Sequence, residues 1–226
     1  MQGETERLAW IRTWIKDRKE EANIDRREAP VTTAADPVVV TGLSGYFPGC
    51  MSVASFFKHI DQDKPLITSI ADDRLDLMIH YDADGEQAAF MRRQRGGFIP
   101  DVASFDAGLF GILPIEADEM DPRQRLLLMS AWQSLEDAGL NPEALKKSAT
   151  GVFIGCESNE YAQLMVKEGF VPTMGLSQAD SMIANRISYH FDFAGPSEMV
   201  NATCAGFAVA LHRAFTAVRL GLIDRA

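Results

Sequence analysis

The stretch SEMVNATCAGFAVALHRAFTAVRLG, residues 197–221, decides how this chain is read. Its opening residues, EMVNAT, are β-prone and predict a strand. From Ala205 onward, the polar residues in AGFAVALHRAFTAVRL are His212, Arg213, Thr216 and Arg219, which predicts a helix apolar almost all round and buried on every side. Cys204 falls between the two, at the helix N-terminus. There, unpaired backbone N–H groups and the positive end of the helix dipole favour an anion, and the thiolate is the reactive form of cysteine. Ala205 and Gly206 are small, leaving room for a substrate to approach. Two readings stand side by side, because lone cysteines are also common core residues: Cys204 is a nucleophile, or a small buried apolar side chain.

Working outward, MDPRQRLLLMSAWQSLEDAGLNPEAL is the clearest helix. Asp121 caps it, Pro122 fits its first turn, Gly139 stops it, and Leu127, Ala131, Leu135 and Ala138 form an apolar stripe that predicts a core face. TGVFIGCES predicts a strand covered on both faces, with Cys156 in the core. QADSMIANRISYHF predicts a helix and DFAGPS a turn. PVVVTGLSGYFPG predicts a further buried strand, residues 51–60 a short helix, and 61–104 lack clear periodicity. Helices alternating with buried strands predict a layered α/β fold.

Residues 1–36 differ in composition. Leu8, Ile11, Trp14 and Ile15 fall near helical spacing in a charge-rich segment, predicting an amphipathic helix and linker that docks on another chain or packs on its own core. Residues 37–226 are read as the main domain. The net charge of −10 argues against nucleic acid as a partner. The local basic run RRQR (Arg92, Arg93, Arg95) reads as a solvated loop. No apolar run approaches the roughly 20 residues of a membrane span, and no signal-peptide pattern opens the chain, so a cytoplasmic protein without membrane contact is expected. The three cysteines, Cys50, Cys156 and Cys204, are widely spaced, and neither a disulfide framework nor a metal site is expected.

A nucleophilic thiol needs proton-handling partners and an oxyanion site. His212 lies two helical turns beyond Cys204, about 12 Å along the helix at 1.5 Å per residue, too far for direct contact. His59, His80 and His190 carry no positional signal.

Taken together, PVVVTGLSGYFPG, GGFIPDVASFDAGLFGILPIEADEMDPRQRLLLMSAWQSLEDAGLNPE, GVFIGCESNEYA and NRISYHFDFAGPSEMVNATCAGFAVALH resemble the N-terminal half of a β-ketoacyl synthase (ketosynthase) domain of modular polyketide synthases. The resemblance covers residues 37–226. It implies a thiolase-like layered α/β fold, of which the chain carries the N-terminal half, preceded by the amphipathic helix. It further implies that Cys204 is the catalytic residue, taking an acyl chain from the phosphopantetheine arm of an acyl carrier protein, with no cofactor bound. Decarboxylative condensation with a malonyl-type extender follows.

Two departures accompany it. Ala205 and Gly206 stand where the family commonly has two serines, and NATC replaces the commoner DTAC, changes that bear on acyl preference and on the condensing role. The family's two catalytic histidines and its lysine belong to the second half of the domain, beyond the 22 residues that follow Cys204 here. The resemblance therefore implies a C-terminal half on another chain that supplies them in trans, inactivity without it, and a homodimer of the completed domain through the strand leading to Cys204. A fragment of a longer synthase, a non-condensing acyltransferase and a non-catalytic module that recruits a carrier protein or synthase subunit are the alternatives.

Overall fold

The computed structural model describes residues 37–69, 95–157, 161–167, 169–170 and 178–226. The expected N-terminal helix, His80, Arg92 and Arg93 lie outside these residues.

The helix read most clearly from sequence forms as expected, over Pro122–Asp137. The Asp121 carboxylate accepts from the Arg123 amide at 2.8 Å, and Pro122 occupies the first turn. At the other end Gly139, with φ of +66°, and Leu140 return their amides to Glu136 and Leu135, a closing turn that favours glycine at its left-handed position. Leu128 has no exposed surface, and Leu127, Ala131, Trp132 and Leu135 pack around the same cluster. Truncating a side chain so enclosed leaves a cavity, so Leu128→Ala is expected to cost about 3 kcal/mol, read as a shift in urea midpoint without a change in slope.

In chain order the helices are α1 (Val53–Asp61), α2 (Pro114–Glu119), α3 (Pro122–Asp137), α4 (Tyr161–Lys167), α5 (Met182–Phe191) and α6 (Gly206–Arg219). The strands are β1 (Thr68–Ser69), β2 (Arg95–Gly96), β3 (Val152–Gly155) and β4 (Ser197–Val200). β1 and β2 form a small antiparallel pair. β3 and β4 are parallel, in register from Val152↔Ser197 to Gly155↔Val200, and the chain crosses between them through α4 and α5.

Alternation along β3 builds the layers. Val152 and Ile154 join the cluster of Phe110, Met120, Leu128, Ala184, Ile187 and Phe191 contributed by α3, α5 and the segments before them. Phe153 points the other way and lines a cavity with His212, Thr216 and Ala217 of α6. The sheet is thus sandwiched between α3–α5 and α6. On the β3 edge away from β4, Thr150 bridges Arg225, whose carbonyl accepts from the Gly151 amide at 2.9 Å.

Two expectations are corrected. PVVVTGLSGYFPG forms no strand: Val39 and Val40 are 66% and 80% exposed. The segment is strapped to α3 instead of to a sheet, through the Leu43 amide on the Asp137 carboxylate at 2.8 Å and the Ser44 hydroxyl on the Ser130 carbonyl at 2.6 Å. Nor is α6 buried on every side. Gly206, Ala210 and Ala217 are covered by the sheet, whereas Phe207, Leu211 and Phe215, at fourfold spacing, are exposed on another face.

His190 packs beside this core, tilted against the Phe110 ring and edge-on to Phe191. Its pKa is pushed below the ordinary 6.5, chiefly by burial and further by Lys146, against a hydrogen bond to the Phe110 backbone that acts in the opposite sense. A depressed folded-state value means that the unfolded chain binds the proton more readily. Stability from neutral His190 is therefore full above its unfolded pKa and is lost as pH falls from about 6.5. Denaturation midpoints between pH 7.5 and 5 should drop more steeply in the unsubstituted chain than in His190→Phe, which cannot titrate.

Candidate active site

The parallel strands β3 and β4 end side by side, and Cys204 lies just beyond them. The Cys156 amide donates to the carbonyl of Val200, the last residue of β4, at 3.0 Å. The chain then turns sharply through Asn201 and Ala202 into a short 3₁₀ turn, Thr203–Ala205, and α6 begins at Gly206. Thr203 sits in the left-handed region, with φ of +46°. A β-branched residue there is strained by about 1–3 kcal/mol, a conformation that persists only where its surroundings hold it.

The surroundings can be named. The Thr203 amide donates to the Asn201 side chain at 3.3 Å, and the Ala205 amide to the Ala202 carbonyl at 3.0 Å. Behind the turn, Gly155 of β3 meets the first residues of α6 backbone to backbone. A β-carbon on Gly155 would lie 2.3 Å from the Gly206 carbonyl carbon and 2.6 Å from the Phe207 nitrogen. Only glycine at 155 allows the helix to start this close to the strand end. Among the described residues Cys204 is exposed, on a turn held at both ends.

The other cysteines are placed differently. Cys50 is 2% exposed, and its sulfur lies 3.2 Å from His59 Nδ1, which also donates to the Ser55 carbonyl at 2.8 Å. Because that carbonyl can only accept, Nδ1 carries the proton, and the Cys50 sulfur is an acceptor in a local structural contact. Cys156, expected in the core, is half-buried. Its sulfur faces a guanidinium: Arg123 Nη1 donates to it at 3.3 Å.

Arg123 is the residue that sequence reading missed. It stands in the first turn of α3, where the helix dipole disfavours a cation, and that misplacement was the available signal. The compensation is a set of acceptors. Its guanidinium donates to both Asp121 carboxylate oxygens, at 2.7 to 3.1 Å, to the Glu157 carbonyl at 2.5 Å, and to Asp180 at 3.2 Å. Burial alone would lower its pKa, but the hydrogen bond and charge of Asp121 outweigh this and hold the guanidinium above its ordinary range. Asp121 is 1% exposed and both caps α3 and pairs Arg123. Asp121→Ala, which removes the cap and strands the cation, is expected to cost about 3 kcal/mol by chemical denaturation; Asp121→Asn keeps the cap and should cost less.

The described histidines do not gather around Cys204. His59 serves Cys50, His190 lies against the aromatic core, and His212 lines the cavity beside Phe153 with Glu198 and Arg213.

Similarity to known proteins fits this architecture. A family model described as the N-terminal domain of β-ketoacyl synthase matches residues 35–226. Polyketide synthase PksR of Bacillus subtilis is 38% identical over 206 residues, covering 91% of this chain and 7% of that protein. Erythronolide synthase EryA2 of Saccharopolyspora erythraea is 35% identical over 209 residues, covering 87% of this chain and 6% of the relative. Among solved structures, the seventh ketosynthase domain of OzmH, from the oxazolomycin system of Streptomyces albus, aligns with a TM-score of 0.72 at 34% identity, over 83% of this chain and 33% of that one. The ketosynthase from module 6 of the bacillaene synthase of Bacillus subtilis aligns at 0.66 with 28% identity, over 80% of this chain and 29% of its own. The chain thus spans about a third of a solved ketosynthase and a small fraction of the multidomain synthases. The thiolase-like layered fold expected from the sequence holds. By sequence and by fold, the chain belongs to the β-ketoacyl synthase family, as an N-terminal segment of a ketosynthase domain of the polyketide synthase type.

Proposed function

We propose that Cys204 is the acyl acceptor of this ketosynthase segment, taking a chain from the phosphopantetheine thioester of an acyl carrier protein. The observation that carries the reading is an exposed cysteine on a strained turn, fixed between the end of β4 and the Gly155–Gly206 contact. The Cys204 thiolate attacks the thioester carbonyl, and the resulting oxyanion is held by backbone N–H groups at the start of α6. Collapse expels the pantetheine thiolate, which takes up a proton, and leaves the acyl group on Cys204. Splitting the transfer in this way replaces one hard step by two easier ones.

Condensation requires more. Loss of CO₂ from a malonyl-type extender gives a carbanion that attacks the Cys204 thioester carbonyl, lengthening the chain by two carbons and releasing the Cys204 thiolate. The histidines assisting that step belong to the C-terminal part of a ketosynthase domain, beyond the third of the solved domain that this chain covers. The completed domain pairs with a second copy along β4, which among the described residues has β3 as its only strand neighbour.

The test is reconstitution. The chain, mixed with a C-terminal ketosynthase segment, an acyl-pantetheine donor and a malonyl-loaded carrier protein, should release CO₂ and give a β-ketoacyl carrier. The chain without that segment should give neither. Acylation without CO₂ release from the mixture would reassign the protein as a non-condensing acyltransferase. No acylation in a folded complex would leave it an interaction module.

A further inference from the structure

We propose that Arg123 is a positioning residue for the Cys204 turn, holding the end of β3 in the place from which that turn is fixed. The proposal rests on the acyl-acceptor reading of Cys204 and adds to it a determinant more than eighty residues away in sequence.

The connection is a short series of contacts. The strained turn has two anchors, Val200 before it and Gly206 after it, and both rest on the same two residues of the neighbouring strand end. The Cys156 amide holds the Val200 carbonyl at 3.0 Å, and Gly155 abuts Gly206. Just past Gly155, the guanidinium of Arg123 holds the chain through the Cys156 sulfur at 3.3 Å and the Glu157 carbonyl at 2.5 Å. The guanidinium is itself fixed by Asp121 at the start of α3 and by Asp180 ahead of α5. One planar fork with five donors thus joins the first turn of α3, the segment leading into α5 and the end of β3. No other side chain offers that reach and geometry: a lysine supplies charge without the fork, and a glutamine a single amide.

Arg123 touches neither Cys204 nor, on this reading, the substrate, so its effect is confined to where the turn points its N–H groups. Thioester attack needs those donors aligned on the developing oxyanion, whereas alkylation by iodoacetamide needs only an accessible thiolate. A loss of positioning therefore separates two rates that general unfolding would change together.

The experiment compares Arg123→Gln, Arg123→Lys and the unsubstituted chain, each with the C-terminal ketosynthase segment present. It measures Cys204 acylation by a short-chain acyl-pantetheine thioester and Cys204 alkylation by iodoacetamide. Because Arg123→Gln leaves Asp121 buried without its cation, Asp121→Asn/Arg123→Gln is measured beside it. Acylation should fall about tenfold in both glutamine variants, with alkylation within about twofold, and Arg123→Lys should recover only part of the loss. Acylation and alkylation falling together, or acylation unchanged in the double variant, would overturn the proposal while leaving Cys204 as acyl acceptor. Absence of acylation in the unsubstituted complex would instead remove the acyl-acceptor reading, and this proposal with it.

Discussion

Replacing Cys204 by alanine should abolish transfer of an acyl group from a pantetheine thioester to the protein, a loss of at least about 10³-fold, or roughly 4 kcal/mol of barrier. The size follows from the chemistry, because no other described thiol combines exposure with a fixed turn. Cys50 is 2% exposed and engaged with His59, and Cys156 is half-buried against Arg123. Cys50→Ala and Cys156→Ala should each keep acylation within about threefold, the latter because Glu157 still receives the guanidinium. Rates are compared by intact mass over a time course, with far-ultraviolet dichroism to verify that each variant is folded. Cys204 is on the surface, so its loss should move stability by less than about 0.5 kcal/mol, separating the chemical effect from a structural one.

The second large effect concerns Gly155. A methyl group there would meet the Gly206 carbonyl carbon at 2.3 Å, its oxygen at 2.5 Å and the Phe207 nitrogen at 2.6 Å. All three are backbone atoms that no rotamer change can move aside, so the start of α6 must retreat from β3. We expect Gly155→Ala to cost about 3 kcal/mol or more and to lower the melting temperature by roughly 10 °C. Acylation should be lost with it, because retreat of Gly206 releases one anchor of the Cys204 turn. Gly206→Ala is the contrast. Its β-carbon would find its nearest neighbour at 3.5 Å, in a residue of helical conformation, and stability should change by less than about 1 kcal/mol. Similar melting temperatures for the two variants would contradict this account of the strand–helix contact.

Much of this architecture could be read from sequence because the signals were local. Asp121, Pro122 and Gly139 mark the ends of α3 through capping and backbone preference, which depend on neighbours within a few residues, and the structure follows them. The strand–cysteine–helix order around Cys204 was legible for the same reason. The expectations that failed depended on what lies across space. PVVV has strand-forming side chains, yet a strand needs a ladder partner, and here the segment is drawn to α3 by Asp137 and Ser130. Cys156 follows an apolar run, but a cation from a residue thirty-three positions earlier meets its sulfur. The apolar coat of α6 was legible as a surface to be covered, whereas the exposure of Phe207, Leu211 and Phe215 depends on which elements stand next to it. The strain at Thr203 left no mark in sequence, since threonine is a poor choice for a positive φ and only the fixed turn explains it.

The most direct test is to map the acyl group. The chain, assembled with a C-terminal ketosynthase segment, is exposed to a short-chain acyl-pantetheine thioester, weighed intact, then digested and sequenced by mass spectrometry. The account predicts one adduct per chain, on the peptide holding Cys204, removed by neutral hydroxylamine as a thioester is. An adduct on Cys50 or Cys156, or a folded assembly that takes up no acyl group, would contradict it.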